Sequence, residues 1–363
     1  MERTAVACEL RPARSAVEFS VAGPEDDAEI RRLLRENPMR GAVSISLERE
    51  PSYFAGCSLG AARDITIVAR KSGRLVCVGN CSIRKRFING EPVQVGYLGG
   101  LRLDRSVAGR FDILRQGYRF FEEIASGEDA EFYFTSIAAD NSRARQFLER
   151  NLPGMPRYEF IGEFVTLVIP TRQRRRGGNI VRVELDERRF NQSHARYNLA
   201  AEWQENEFEE LRPFGFGPLQ IRDGGRAVAA GVLWDQRAFK QTVVRDYSPL
   251  MKVARPFVNA WVRFGGVRLP PIGSALNLAF LSPISATKQA AMMQLLNGTM
   301  HVAQASGIEL LALGFDARDP YLKVIEKAFR CRTYHSRLYA VRWKTSPALK
   351  WDDKLLMPEV ALL

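Results

Sequence analysis

The sequence predicts an α/β protein of two similar halves, each a mixed, mostly antiparallel sheet with one parallel pair of strands. Two observations predict it. The first half opens with alternating apolar stretches joined by tight turns, then switches to a strand–helix–strand run. The second half repeats that order, which reads as an internal duplication of fold. At 363 residues the chain is also too long for one ordinary domain.

The elements follow in order. Residues 17–20 form a short strand, and residues 25–36 form a helix because Ile30, Leu33 and Leu34 share a stripe behind an acidic turn. Residues 64–70 and 74–87 are strands joined at Lys71-Ser72-Gly73, and Asn89-Gly90 turns the chain into a third strand, 93–103. Residues 105–110 make a polar, glycine-bearing loop. Residues 112–125 form a helix with Ile113, Gly117, Phe120, Phe121 and Ile124 on or near one stripe. Strand 131–138, helix 141–150 and strand 159–169 complete the half. A strand–helix–strand crossover makes its strands parallel and right-handed. Residues 171–178 (TRQRRRGG), with four arginines, two glycines and no acid, are the expected linker between domains 1–170 and 179–346. In the second half we expect a strand at 180–185, a helix at 194–205, a hairpin of 218–222 with 226–234, a strand at 240–245 and an amphipathic helix at 248–264. Strand 275–281, helix 287–305, strand 308–315, helix 320–329 and strand 337–343 follow. The tail, 347–363, packs back through its apolar end.

Composition narrows the function. Hydrophobic residues at 46% and charged residues at 26% exclude a disordered chain, a collagen-like chain and a disulfide-stapled miniprotein. A net charge of +12 favours anionic partners: nucleic acid, a phosphate-rich cofactor or anionic lipid. Apolar runs such as 227–234 fall short of the ~20 residues a membrane helix needs, so no membrane partner is expected. Residues 1–15 lack the apolar run of a signal peptide. The five cysteines are odd in number and irregular in spacing, which points to a reducing compartment and a cytoplasmic location. Cys77 and Cys81 share a strand face and are expected to be buried. The three histidines are scattered and no metal site is expected. No phosphate loop and no nucleophile elbow is present, and residues 215–218 (GFGP) make a loop.

The informative stretch is 93–121, VQVGYLGGLRLDRSVAGRFDILRQGYRFF. A strand ends, a glycine-bearing turn follows and a helix begins. The free N–H groups of such a helix start make an anion site, with Arg105, Arg110 and Arg115 around it. Downstream, Asp140-Asn141-Ser142-Arg143 opens the next helix. Here the sequence resembles the GCN5-related N-acetyltransferase superfamily. The resemblance covers residues 17–170, is best over 135–158 (TSIAADNSRARQFLERNLPGMPRY), and extends more faintly into the second half, as in a tandem member.

The resemblance implies acetyl-CoA as acyl donor, held in a cleft between two splayed parallel strands. The N–H groups around Leu101 and Leu103 would polarise the thioester carbonyl. The loop Arg105, Ala108, Gly109, Arg110 and Phe111 would meet the pyrophosphate, with Asn141 and Arg143 beside it. The family's Gln/Arg-x-x-Gly-x-Gly/Ala signature falls on residues 108–113, where Gly109 is kept but Ala108, Phe111 and Ile113 depart. Asp112 places a carboxylate that competes with phosphate for the same helix start. Gly99 or Gly100 stands where many members carry a glutamate base, and Leu148 where many carry a tyrosine acid. The candidate catalytic residues are therefore Tyr97, on the strand face of Gly99, which leaves room beside it, and Asp140. The expected reaction is direct attack of a neutral amine, on a small molecule or peptide, upon acetyl-CoA. A homo-oligomer is compatible with this. The alternatives are a non-catalytic binding or scaffold protein, which the departures support, and an aminoacyl-tRNA-dependent transferase, with which the charge and the Arg172–Arg176 cluster are compatible.

Overall fold

The computed structural model describes residues 17–57, 59–125, 130–173, 180–182, 186–260, 268–343 and 350–363. The first half forms β1 (Val17–Val21), α1 (Asp27–Glu36), β2 (Val43–Glu48), β3 (Arg63–Lys71), β4 (Arg74–Ile88), β5 (Glu91–Leu103), α2 (Phe111–Ala125), β6 (Phe132–Ala138), α3 (Ser142–Leu148) and β7 (Arg157–Pro170). The second forms β8 (Ile180–Arg182), α4 (Glu187–His194), α5 (Glu207–Leu211), β9 (Phe216–Asp223), β10 (Arg226–Trp234), β11 (Gln241–Tyr247), α6 (Pro249–Ala260), β12 (Leu278–Ala286), α7 (Gln289–Ala305), β13 (Leu310–Asp316), α8 (Pro320–Ala328) and β14 (Arg332–Arg342). The hairpin turns carry positive φ at Ser72 and Gly73 and again at Asn89 and Gly90, the backbone that matches strand twist in a two-residue turn.

One mixed sheet of 12 strands runs in the order β1-β3-β4-β5-β6-β14-β7-β13-β12-β10-β9-β8. From its centre the two sides repeat. β5 and β6 pair in parallel on one side, as β12 and β13 do on the other. A helix follows each of these strands: α2 and α3 in the first half, α7 and α8 in the second. The final strands are exchanged. β7 pairs antiparallel with β13 of the second half, β14 pairs antiparallel with β6 of the first, and β7 and β14 join each other at the centre. A two-stranded sheet, β2 with β11, also ties the halves together. Among the described residues no helix is long and apolar enough to cross a membrane.

The cores follow the patterns. Ile30, Leu33 and Leu34 of α1 are buried against β3 and β4. In the second half α7 buries Ala291, Met292, Leu295, Leu296 and Met300 under β10, β12 and β13. Two expectations need correction. Residues 194–205 do not form a helix: α4 begins behind its cap Asp186 and ends at His194. Beyond it the backbone pairs with β4, where Phe87 N–H donates to Ala200 and Glu202 N–H to Lys85. Tertiary pairing overrides local propensity there. The strand β2, absent from the sequence reading, exists by pairing with the distant β11. Residues 174–178 of the expected linker and 261–264 of the expected helix lie outside the described residues. The tail does pack back: Leu356 and Ala361 are buried, and Glu359 enters the interior beside Arg86.

Candidate active site

The parallel pairing of β5 with β6 stops after Tyr97 and Phe134. Beyond that point β5 stays bonded to β4 while β6 diverges, with a bulge opposite Gly79. One edge of β5 is thereby released. Asp104 N–H donates to Val76 of β4 (2.8 Å), so by alternation the N–H group of Leu103 faces the opened side, while the bulge around Gly100 and Leu101 interrupts the alternation beyond it. Thr135 Oγ1 donates to the Leu98 carbonyl (2.6 Å) at the apex of the splay.

A cavity of about 1140 Å³ passes through this opening and borders both faces of the sheet. Strand parity sorts its walls. On one face Ile65, Ile67 and Ala69 of β3 stand opposite Cys81, Gly79 and Cys77 of β4, and Cys81 stands opposite Leu98 of β5. With Ile113, Tyr118 and Phe121 of α2 they make an apolar lobe. On the other face Asp64, Ser82 and Tyr97 form one cross-strand row, and Thr66, Asn80 and Gly99 the next. Arg102, opposite Val78, shares that face. This second lobe is polar and is closed by Tyr53, Arg49, Gln236, Lys240 and Tyr334.

The polar lobe shifts its titrating groups. Burial pushes the Asp64 carboxyl up to about 6, against the lowering effect of the Asn80 amide that donates to it and of the Arg49 charge. Burial raises Tyr97 to about 12, so its hydroxyl stays protonated at neutral pH. Burial lowers Lys240 to about 7, helped by Arg49; its Nζ donates to main-chain oxygens of Leu363 (2.8 Å) and Ala361 (3.4 Å). Gln236, buried, donates to Ala361 through Nε2 (3.0 Å), while its Oε1 has no partner.

At the far end of β5, Asp104 caps a turn over Arg105–Val107, and Gly109 follows with φ +86°. The N–H groups of Ala108, Arg110, Phe111 and Ile113 are taken up by turn carbonyls. Arg110 is held by Asp112, and Phe111 stacks on Phe147 of α3 (4.4 Å). Arg143 comes close: a Cβ built on Gly109 would lie 3.6 Å from its Nη2.

No family model and no curated protein matches the sequence. Solved structures do match. N-myristoyltransferase of Saccharomyces cerevisiae, in crystals with bound myristoyl-CoA, aligns over 94% of this chain and 82% of its own at 10% identity, with a TM-score of 0.60. A second structure of the same enzyme with bound myristoyl-CoA aligns over 93% and 85% at 9% identity, with a TM-score of 0.59. A GCN5-related N-acetyltransferase from Anabaena variabilis ATCC 29413 aligns over 90% and 72% at 10% identity, with a TM-score of 0.50. The chain has the GCN5-related N-acetyltransferase superfamily fold.

Within this acetyltransferase fold the expected site residues are distributed as follows. Tyr97 lines the cavity and packs on Phe134 (5.0 Å); a Cβ on Gly99 would meet its ring at 2.8 Å, so the glycine does make its room. Leu101 borders the opening and Leu103 lies just beyond it. Arg105, Ala108 and Gly109 form the exposed loop, with Arg110 and Phe111 engaged as described. Asn141 caps α3 by accepting from Ala144 N–H (3.2 Å) and borders the cavity. Asp140 is exposed in the turn before it and does not border the cavity. Asp64, Arg49 and Lys240 were missed. The alternation Asp64-Ile65-Thr66-Ile67 was the available signal for Asp64, since it puts a carboxylate on a face that the next strand continues with Ser82 and Asn80. Arg49 and Lys240 had no local signal. The corresponding splay of the second half is filled: beyond Phe280 and Ala312, Leu281, Pro283, Met292, Phe315 and Tyr321 leave a volume of about 20 Å³.

Proposed function

We propose that the protein is an acyl-CoA-dependent N-acyltransferase, with a tandem plan in which the first half holds the donor and the second half walls the acceptor. The observation that carries this reading is the released edge of β5 at a cavity that borders both faces of the sheet. A donor's acyl chain in the apolar lobe and an amine in the polar lobe would meet at the splay. The arrangement fits the donor: the N–H group of Leu103 faces away from β4, the bulge at Gly100 and Leu101 lies at the splay where main-chain N–H groups would polarise a thioester carbonyl, and Gly109 with Arg105 and Arg143 supplies an open loop and cations at the strand's end. Acetyl-CoA is the smallest donor of this class. The apolar lobe supports a longer acyl chain, in keeping with the myristoyl-CoA bound by the yeast enzyme of like fold.

The chain's own groups divide the proton work. Asp64 is ionised above about pH 6 and accepts the proton of the incoming amine. It stands two strands from Tyr97, roughly 10 Å by strand spacing, so the transfer runs through water. Tyr97, fixed by Phe134 and Gly99 and kept protonated, donates toward the leaving sulfur. Attack is direct, with no covalent enzyme intermediate. The test is calorimetric titration with acetyl-, octanoyl- and myristoyl-CoA, followed by a thiol-release assay with an amine panel. One donor per chain, affinity rising with chain length and amine-dependent thiol release are expected. No saturable binding of any acyl-CoA would overturn the proposal.

A further inference from the structure

The polar lobe is unbalanced in charge. Among the described residues that line the cavity, Glu48 and Asp64 are the only acids. Glu48 is engaged by Arg245 and Arg35. Arginines on the same walls that belong to the fold have carboxylate partners: Arg84 with Glu207, Arg86 with Glu359, Arg237 with Asp235. Arg49 and Arg102 do not, nor do Arg268, Arg330 and Arg332 among the described lining residues; Arg49 and Arg102 are the two placed beside Asp64 and Tyr97. Arg102 is half-buried, and its Nη1 donates to the carbonyl of its neighbour Leu101 (2.8 Å), with Tyr97 and Tyr334 nearby. Arg49 donates to Cys57 Sγ (2.9 Å) and lies over the Tyr53 ring (5.1 Å). No Asp or Glu side chain forms an ion pair with either among the described residues, whereas Lys240 on the same wall is engaged by main-chain oxygens of Leu363 and Ala361. A guanidinium held out of bulk water without a carboxylate is costly unless a ligand supplies the anion, and its fork suits a carboxylate or phosphate.

We propose that the acyl acceptor is an amine that also carries an anionic group, a carboxylate or a phosphate, with Arg102 and Arg49 holding the anion while Asp64 receives the amine. Two guanidinium charges against one carboxylate leave the lobe with an excess of positive charge, which an anionic group on the ligand offsets while its amine faces Asp64. The inference rests on the N-acyltransferase reading for the amine and the transfer, and on the cavity alone for the anion.

The experiment uses the full chain and matched probes: L-alanine against ethylamine, L-phenylalanine against phenethylamine, and phosphoethanolamine against ethanolamine. Binding is read by calorimetry and transfer by thiol release from myristoyl-CoA. The anionic member of a pair is expected to bind and react about ten- to one-hundred-fold better, the worth of one charge-assisted hydrogen-bonded pair. The amino acids and phosphoethanolamine separate carboxylate from phosphate recognition. Arg102→Gln should bring each pair to near parity, and Arg102→Lys should restore part of the preference; melting curves of both variants report folding. Equal or better use of the neutral amines, or no binding of any anionic probe, overturns the inference while transfer to neutral amines leaves the acyltransferase reading standing. Binding of anionic probes without acyl transfer does the reverse. Arg102→Gln weakening CoA affinity with the acceptor preference intact would assign the cations to the donor's phosphates and overturn the inference.

Discussion

Asp64 is the residue on which the chemistry turns, and its environment fixes two signs. Its carboxyl is raised by burial to about 6, so the base is present above that pH and lost below it. kcat/KM should rise through about pH 6. Asp64→Asn should lower kcat/KM by about 10²–10⁴-fold and abolish that limb of the profile. Stability should move the other way. A carboxyl raised in the fold binds its proton more tightly there than in the unfolded chain, so its ionisation erodes stability between about pH 4 and 6 and the deficit persists above that range. Asp64→Asn should therefore stabilise the protein at pH 7 by about 1–2 kcal/mol, discounted for its half-exposed position, as read by urea denaturation. A variant both inactive and less stable would place Asp64 in the scaffold. Glu359 makes the contrast. Its Oε2 lies 3.3 Å from Arg86 Nη1, and Ala201 N–H donates to both its oxygens at 3.0 Å. Burial pushes Glu359 up to about 7 and Arg86 down to about 10, so desolvation outweighs their attraction. Glu359→Ala leaves a buried guanidinium and should cost about 3–5 kcal/mol in a urea melt, whereas the double change Arg86→Met with Glu359→Leu should cost less than that single change.

The strands β3, β4 and β5 act as a partition with different chemistry on each side. Gly79 sits on the apolar side, where a Cβ would meet only Leu101 Cδ1 at 3.8 Å. Gly79→Leu therefore fills the lobe without displacing backbone. Myristoyl-CoA affinity should fall by about 10- to 100-fold, since a few methylenes at ~0.8 kcal/mol each lose their burial, while acetyl-CoA affinity stays unchanged in the same titration. An equal loss for both donors would put the chain elsewhere. The sequence carried much of this partition. Alternation of Ile65 and Ile67 with Asp64 and Thr66, and of Cys77 and Cys81 with Asn80 and Ser82, marks two faces without any structure. That ligand space borders both faces was not legible, because it follows from where β6 leaves β5, and that depends on a partner strand. The loop shows the same limit. Phe111 stood out as a departure from the glycine pattern, but its stacking on Phe147 needed the placement of α3.

At the level of the whole molecule, the repeat was legible in the order of strands and helices, whereas the exchange of β7 and β14 was not. Neighbouring strands in sequence are the usual neighbours in space, and nothing local tells β14 to insert between β6 and β7. The exchange has a mechanical consequence. Without the second half, β6 presents an open edge flanked by Phe132, Tyr133 and Phe134, and β7 loses both its partners, β14 and β13. Long apolar edges of that kind pair with other chains. Residues 1–170 expressed alone should therefore aggregate or lack a cooperative urea transition, as should residues 171–363, whose β13 loses β7. Co-expressing the two segments should restore a soluble complex with a single transition, because each supplies the other's central strand. If 1–170 instead folded alone with a sharp transition and bound acyl-CoA, the central strands would be dispensable to the donor site, and the second half would act on the acceptor side only. The exchange thus links the site to the global fold: the splay between β5 and β6 is held open by a β6 whose far edge is bonded to the last strand of the chain.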